Sequence, residues 1–270
     1  MKVFHAISDD QDCTNLQEDL HRLDTWSKEN ELHFHPEKCK CLRLSQRADS
    51  QHTYQMRDNG LQVVYEERDL GVVMDRQLRF DQHVDQKVKK ANQILGIIAR
   101  NIENKEPEII LPIYTSLVRT QLEYANQVWS PHTVTQITKI ENVQRRLTKM
   151  LPGLRELTYE ERLKTLDLPS LAYRRLRGDM IMCYRILTGK TALENHPFIL
   201  THNNQTQGHP LKLEKIRANT SKRLNTFFHR CVNPWNLLPK EVIAADTIRE
   251  FEHRLDRTWA AHPLRFTARP

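Results

Sequence analysis

Residues 81–102 read DQHVDQKVKKANQILGIIARNI, and their spacing decides the fold class. Val84, Val88, Ala91, Leu95, Ile98 and Ile102 step by 4, 3, 4, 3 and 4, which stacks them along one side of a helix with 3.6 residues per turn. Such a stripe has to be buried, and the same period continues downstream. A second helix is predicted over 106–124, capped or kinked by Pro107 and Pro112, then a loop with Trp129, Ser130 and Pro131. A third spans 134–151 and stops at Pro152-Gly153; others cover 158–166 and 169–188, the last ending at Gly189. Residues 190–220 are polar and irregular, with Leu211-Lys212-Leu213 the periodic piece. A final helical module carries Phe227, Phe228, Val232 and Trp235, breaks at Pro239 and resumes over 247–259 with Phe251 and Leu255.

Upstream of residue 81 the pattern changes. Ser8-Asp9-Asp10-Gln11-Asp12 offers several N-caps, and Leu16, Leu20, Leu23 and Trp26 follow at spacings of 4, 3 and 3, so a helix is expected over 12–29. Extended pieces come next at 32–35, 40–45, 53–56, 61–65 and 70–74. Asp58-Asn59-Gly60 is read as a hairpin turn, because Asn and Gly tolerate the positive φ of a type I′ turn. The fold class is α+β and mainly helical, with small antiparallel elements over 1–80, a helical domain over 81–189, and an irregular linker plus helical module over 190–270.

Composition narrows the function classes. The 270 residues are 39% hydrophobic, enough for a core, and contain no apolar run near the roughly 18 residues of a spanning helix. Met1-Lys2-Val3-Phe4-His5-Ala6 has no apolar signal region, so the expected address is cytosolic or nuclear, not secreted, with no membrane partner. Of five cysteines only Cys39 and Cys41 are close, and C-x-C without a second pair favours ordinary reduced thiols over zinc. No H-E-x-x-H, G-x-S-x-G or phosphate-binding glycine loop occurs, and Asp9-Asp10 reads as helix capping rather than a metal pair.

The net charge of +7 is unevenly spread. Residues 134–230 hold 18 basic and 8 acidic side chains, whereas 1–80 hold 11 and 15. A basic segment on a balanced chain is the footprint of a polyanion binder, or a solvated helical surface. Within 134–151, Lys139, Arg145, Arg146 and Lys149 fall in an arc of about 120°, with Ile137, Ile140, Val143, Leu147 and Leu151 opposite. In 169–188, Arg174 and Arg185 lie on one line about 16 Å apart with Arg177 beside it, a row able to track a phosphate backbone.

Several strings then resemble, in order, the C-terminal half of the reverse transcriptase of non-LTR (LINE-type) retrotransposons, the jockey and chicken-repeat-like group. They are Leu16-Gln17-Glu18-Asp19-Leu20, Trp26-Ser27, Pro36-x-Lys38-Cys39, and Asp69-Leu70-Gly71-Val72 with Asp75, Leu78 and Phe80. Val88-Lys89-Lys90-Ala91-Asn92, Ile94-Leu95-Gly96, Leu117-Val118-Arg119 and Leu122-Glu123-Tyr124 continue the series. Val128-Trp129-Ser130-Pro131, Val143-Gln144-Arg145-Arg146, Lys149-Met150, Arg174-Arg175-Leu176-Arg177-Gly178-Asp179, Trp235-Asn236 and Leu238-Pro239 complete it.

The resemblance implies a palm remnant over 1–80 followed by a helical thumb, part of an RNA-directed DNA polymerase. It implies that Lys38 is the candidate general acid toward pyrophosphate, although His35 stands where the family usually has Asn. It implies that Leu70, Gly71 and Val72 form the primer-grip hairpin. Lys87, Lys90, Lys139, Arg145, Arg146, Lys149, Arg174, Arg177 and Arg185 become the candidate contacts to an RNA or RNA–DNA template–primer. The family's Mg²⁺-binding aromatic-Ala-Asp-Asp turn is absent, as are the fingers and the rest of the palm, which would be partners. The expectation is therefore a fragment inactive by itself that requires no cofactor, with Mg²⁺ serving only the complete family enzyme. The alternatives are a non-catalytic nucleic-acid-binding module and an inert retrotransposon remnant.

Overall fold

The computed structural model describes residues 2–44, 52–193, 195–201 and 208–267. The protein is α+β and mainly helical, with its strands in small two-stranded sheets. It divides into two compact units, Met1–Arg79 and Phe80–Pro270.

The first unit opens on α1 (Asp10–Glu29), where Asp9 caps the helix by accepting the Asp12 N–H at 3.0 Å. The expected apolar stripe is buried at Leu20 and half-buried at Leu16 and Leu23, but its edge is shifted: Trp26 is exposed, and Cys13, Asp24 and Ser27 are buried. The cause is the partner it packs on. Gln17 exchanges two hydrogen bonds of 2.9 Å with the backbone of Gln55, and Asp24 takes Arg57 at 2.8 Å and Lys28 at 2.7 Å. Lys28 first, then Arg57, hold the Asp24 carboxyl below the usual range. Around Leu20 gather Tyr54, Met56 and Leu61.

The strands correct four expectations. β1 (Lys40–Leu42) pairs in parallel with β4 (Gln62–Val64), so the region is not purely antiparallel; the intervening chain exceeds the dozen or so residues a parallel crossover needs. Of the strand expected over 40–45, Ser45 lies outside the described residues, and 32–35 forms no strand. β2 (Gln55–Met56) and β3 (Asn59–Gly60) form the hairpin, but its loop is Arg57-Asp58, with Arg57 at φ 56°. That register sets Tyr54 opposite Leu61, whose N–H donates to the Tyr54 carbonyl at 2.8 Å, and buries both. β5 (Glu66–Asp69) and β6 (Val72–Asp75) are joined by Leu70-Gly71, which are turn and not strand, with φ of 43° and 83°.

The second unit starts with α2 (Asp81–Asn101), whose predicted stripe is buried at Val84, Ala91, Leu95 and Ile98. α3 (Pro107–Ile113), a π-helical turn (Tyr114–Val118) and α4 (Arg119–Glu123) run together. The expected loop at Trp129 is instead the end of a short helix, α5 (Asn126–Trp129). The indole is buried, donates to the Tyr124 carbonyl at 2.7 Å and meets His83 edge-on, contacts that wind this turn inward.

α6 (Val134–Lys149), α7 (Tyr159–Thr165) and α8 (Leu171–Leu187) follow, capped by Thr133, Thr158 and Ser170. α9 (Ser221–Leu224), α10 (Phe227–Arg230), α11 (Val232–Asn236), α12 (Lys240–Ile243) and α13 (Ile248–Thr258) build the remainder. α8 shares one core with them through Tyr173, Met180, Tyr184, Trp235, Phe251 and Leu255. Leu213, from the periodic piece at 211–213, bridges Leu200, and Asn236 holds its N–H and C=O at 2.8 Å each. No described helix is long and apolar enough to cross a membrane.

Candidate nucleic-acid interface

α2 and α6 lie side by side and parallel. Gln136 reaches Asp81 at 2.6 Å, Lys139 reaches Asp85 at 2.6 Å, and Arg146 reaches Asn92 at 3.3 Å, so both helices advance together along about 16 Å. The predicted cationic arc of α6 faces outward: Lys139, Arg145, Arg146 and Lys149 are all exposed. Arg145 lies over the Tyr159 ring at 4.8 Å, which fixes its guanidinium, and Lys149 has no side-chain partner among the described residues. Lys89 was not singled out from the sequence. It sits one turn beyond Asp85 and one turn short of Asn92, on the side of α2 that borders this arc, and is exposed. Its i, i+4 and i, i+3 relation to those two residues was the available signal, but nothing local named α6 as the neighbour.

The other predicted contacts are dispersed. Lys87 lies over the Tyr124 ring at 5.3 Å, and exposed Lys90 points off the seam. The arginine row of α8 does not stand free. Arg174 binds Glu123 through two nitrogens, and Arg177 takes Asp256 at 2.6 and 2.8 Å and Glu252 at 3.4 Å. These carboxylates hold both guanidinia above the ordinary arginine value. Arg185 alone of that row is exposed without a side-chain partner among the described residues.

In the first unit, Lys38 is exposed at the end of the 3-10 turn Pro36–Lys38, whose cap is His35. Leu70 and Gly71 form the tip of the β5–β6 hairpin, Leu70 81% exposed, while Val72 is buried. Gly71 at φ 83° supplies a backbone shape that side chains resist.

A buried polar network in the second unit was missed. Tyr114 donates to Gln144 at 2.8 Å, Gln144 donates to the Tyr159 hydroxyl and the Pro169 carbonyl at 3.1 Å each, and Tyr159 donates to Glu141 at 2.6 Å. Burial pushes the Glu141 carboxyl up, the Tyr114 and Tyr159 hydroxyls up, and the nearby Arg175 guanidinium down. So the side of α6 opposite the cations is not purely apolar. Gln136, Glu141, Gln144 and Thr148 are buried there beside Ile140, Val143 and Leu147, and the signal was polar residues falling inside the apolar arc.

No family model matches the chain, and neither does any curated protein or solved structure. The site is read from its own chemistry. Among the described residues no three His, Cys, Asp or Glu side chains are grouped to hold a metal ion. What the α6 face offers is fixed positive charge on a rigid helix, suited to phosphate oxygens.

Proposed function

We propose that the chain is a template–primer-binding part of a non-LTR-type reverse transcriptase, a palm remnant followed by a thumb, that does not synthesise DNA by itself. The observation that supports it most is the exposed set Lys139, Arg145, Arg146 and Lys149, bordered by Lys89 across the α2–α6 seam. Ten residues of helix from Lys139 to Lys149 cover about 15 Å, or roughly four nucleotide steps of one strand. The exposed Leu70-Gly71 tip agrees with a hairpin that meets a primer end, and exposed Lys38 with a proton donor open to a reacting group.

The reaction would require carboxylates that clamp divalent metal against the primer hydroxyl, and residues 1–270 contain no aromatic-Ala-Asp-Asp turn. Binding without polymerisation is the consequence. In a fluorescence anisotropy titration, an RNA–DNA hybrid binds with little sequence preference. About four phosphate contacts cost roughly a hundredfold in affinity between 50 and 200 mM salt. Given Mg²⁺, dNTPs and a primed RNA template, the protein gives no extension above a Lys38→Ala control. Salt-independent binding or primer extension would each overturn the reading.

A further inference from the structure

We propose that Arg145 and Arg162, gathered on the ring of Tyr159, form a binding site for a phosphate group, carried by a nucleic-acid backbone or free as inorganic phosphate. The guanidinium carbons of Arg145 and Arg162 lie 4.8 and 5.7 Å from the centre of that ring, which puts them no more than about 10.5 Å apart. The ring itself is fixed. Its hydroxyl donates to Glu141 at 2.6 Å and accepts from Gln144 at 3.1 Å, so both arginines are held in place before a ligand arrives.

What these cations lack is an anion. Arg162 is only 7% exposed, and a charge so deeply placed is almost always paired. Among the described residues the groups whose charge it meets are Arg145, a second cation, and the Tyr159 hydroxyl, which burial keeps protonated. Burial above all, with the Arg145 charge, pulls the Arg162 guanidinium below the ordinary arginine value. Arg175 shows the contrast. It too is buried, but Glu141, Glu123 and Asp179 all face it. Glu141, whose field reaches Arg145, gives its Oε1 to the Tyr159 hydroxyl and to the Leu171 N–H at 3.1 Å and pairs with neither Arg145 nor Arg162.

The atoms left open suit an oxyanion. The Arg162 Nε is enclosed, whereas Nη1 and Nη2 reach the surface and make no hydrogen bond among the described residues. Arg145 is exposed and spends none of its N–H donors on the described residues, the Tyr159 ring being its contact. Two neighbouring guanidinium forks with two positive charges match the several oxygens and the negative charge of a phosphate. Arg145 is also one turn from Lys149 on α6, so a strand lying along that face would bring a backbone phosphate to the pair. That source rests on the template–primer reading, and inorganic phosphate does not.

The test uses the full chain as wild type, as Arg162→Met, which keeps an apolar stem and removes the charge, and as Arg145→Gln, a change at an exposed position. One arm titrates an RNA–DNA hybrid by fluorescence anisotropy at several salt concentrations, and the other follows Tm in inorganic phosphate against chloride at equal ionic strength. Each variant should bind the hybrid roughly tenfold more weakly and lose about 0.7–0.9 from the slope of log K against log salt, one phosphate contact's worth. Each should also lose the Tm gain that phosphate gives the wild type. Without ligand, Arg162→Met should match or exceed the wild-type Tm, because it removes an unpaired buried charge; a side chain kept for packing would give the reverse. Loss in the hybrid arm assigns a nucleic-acid backbone as the source. Loss in the phosphate arm alone assigns free phosphate, and the template–primer reading then stands or falls on the wild-type hybrid titration. A loss in neither arm, a loss confined to one variant, or a lower unliganded Tm for Arg162→Met would overturn the proposal.

Discussion

Arg230 grips Asp179 through two contacts, Nε to Oδ2 at 2.8 Å and Nη2 to Oδ1 at 3.0 Å, and the carboxylate is only 5% exposed. The same guanidinium donates to the carbonyls of Asn225, Asn126 and Gln127. One ion pair therefore joins α8, α10 and the start of α5. With Arg174 on Glu123 and Arg177 on Asp256, the string Arg174 to Asp179 ties one helix to three separate segments.

Asp179→Ala leaves the half-buried Arg230 without its anion and should destabilise the protein by about 1–3 kcal/mol. A double variant, Asp179→Ala with Arg230→Met, should recover part of that loss. Urea unfolding of the three proteins checks both statements. Equal stability of wild type and Asp179→Ala would show that the pair contributes nothing.

Glu141 gives the protein a pH dependence of definite sign. Burial raises its carboxyl in the folded state above the ordinary glutamate value of about 4.5. Its favourable contribution is thus complete below about pH 4.5 and is lost as pH rises through the raised value. Glu141→Gln cannot ionise and should escape that loss, so the Tm difference, variant minus wild type, should grow from about pH 4 to about pH 7. A constant difference over this window would contradict the assignment.

Gly71 occupies φ 83° at the β5–β6 tip. Gly71→Val should cost about 1–2 kcal/mol in the hairpin, and Gly71→Asn clearly less, because Asn tolerates the left-handed region. Hydrogen exchange of the β5 and β6 amides reads the local effect.

Much of the architecture was legible because it is local. The stripe of α2 and the cationic arc of α6 are helical periods, and Asp9 as a cap is single-residue chemistry. What escaped depends on distant partners. α1 shifts the edge of its buried face because Gln55 and Arg57, 38 and 33 residues along, bind Gln17 and Asp24. The free arginine row of α8 vanished because Glu123 and Asp256 lie 51 and 79 residues away in sequence. Of the candidate interface, the α6 face could be read in advance, whereas its continuation at Lys89 required the packing of α2 against α6.

The most direct test of the central claim is the salt dependence of hybrid binding in a variant of the α6 face. Arg146→Ala with Lys149→Ala should lower the slope of log K against log salt by about 1.4–1.8, two phosphate contacts' worth. Arg257→Ala, at an exposed position of α13, should leave it unchanged. A slope identical in wild type and the double variant, or equally reduced by Arg257→Ala, would contradict the account.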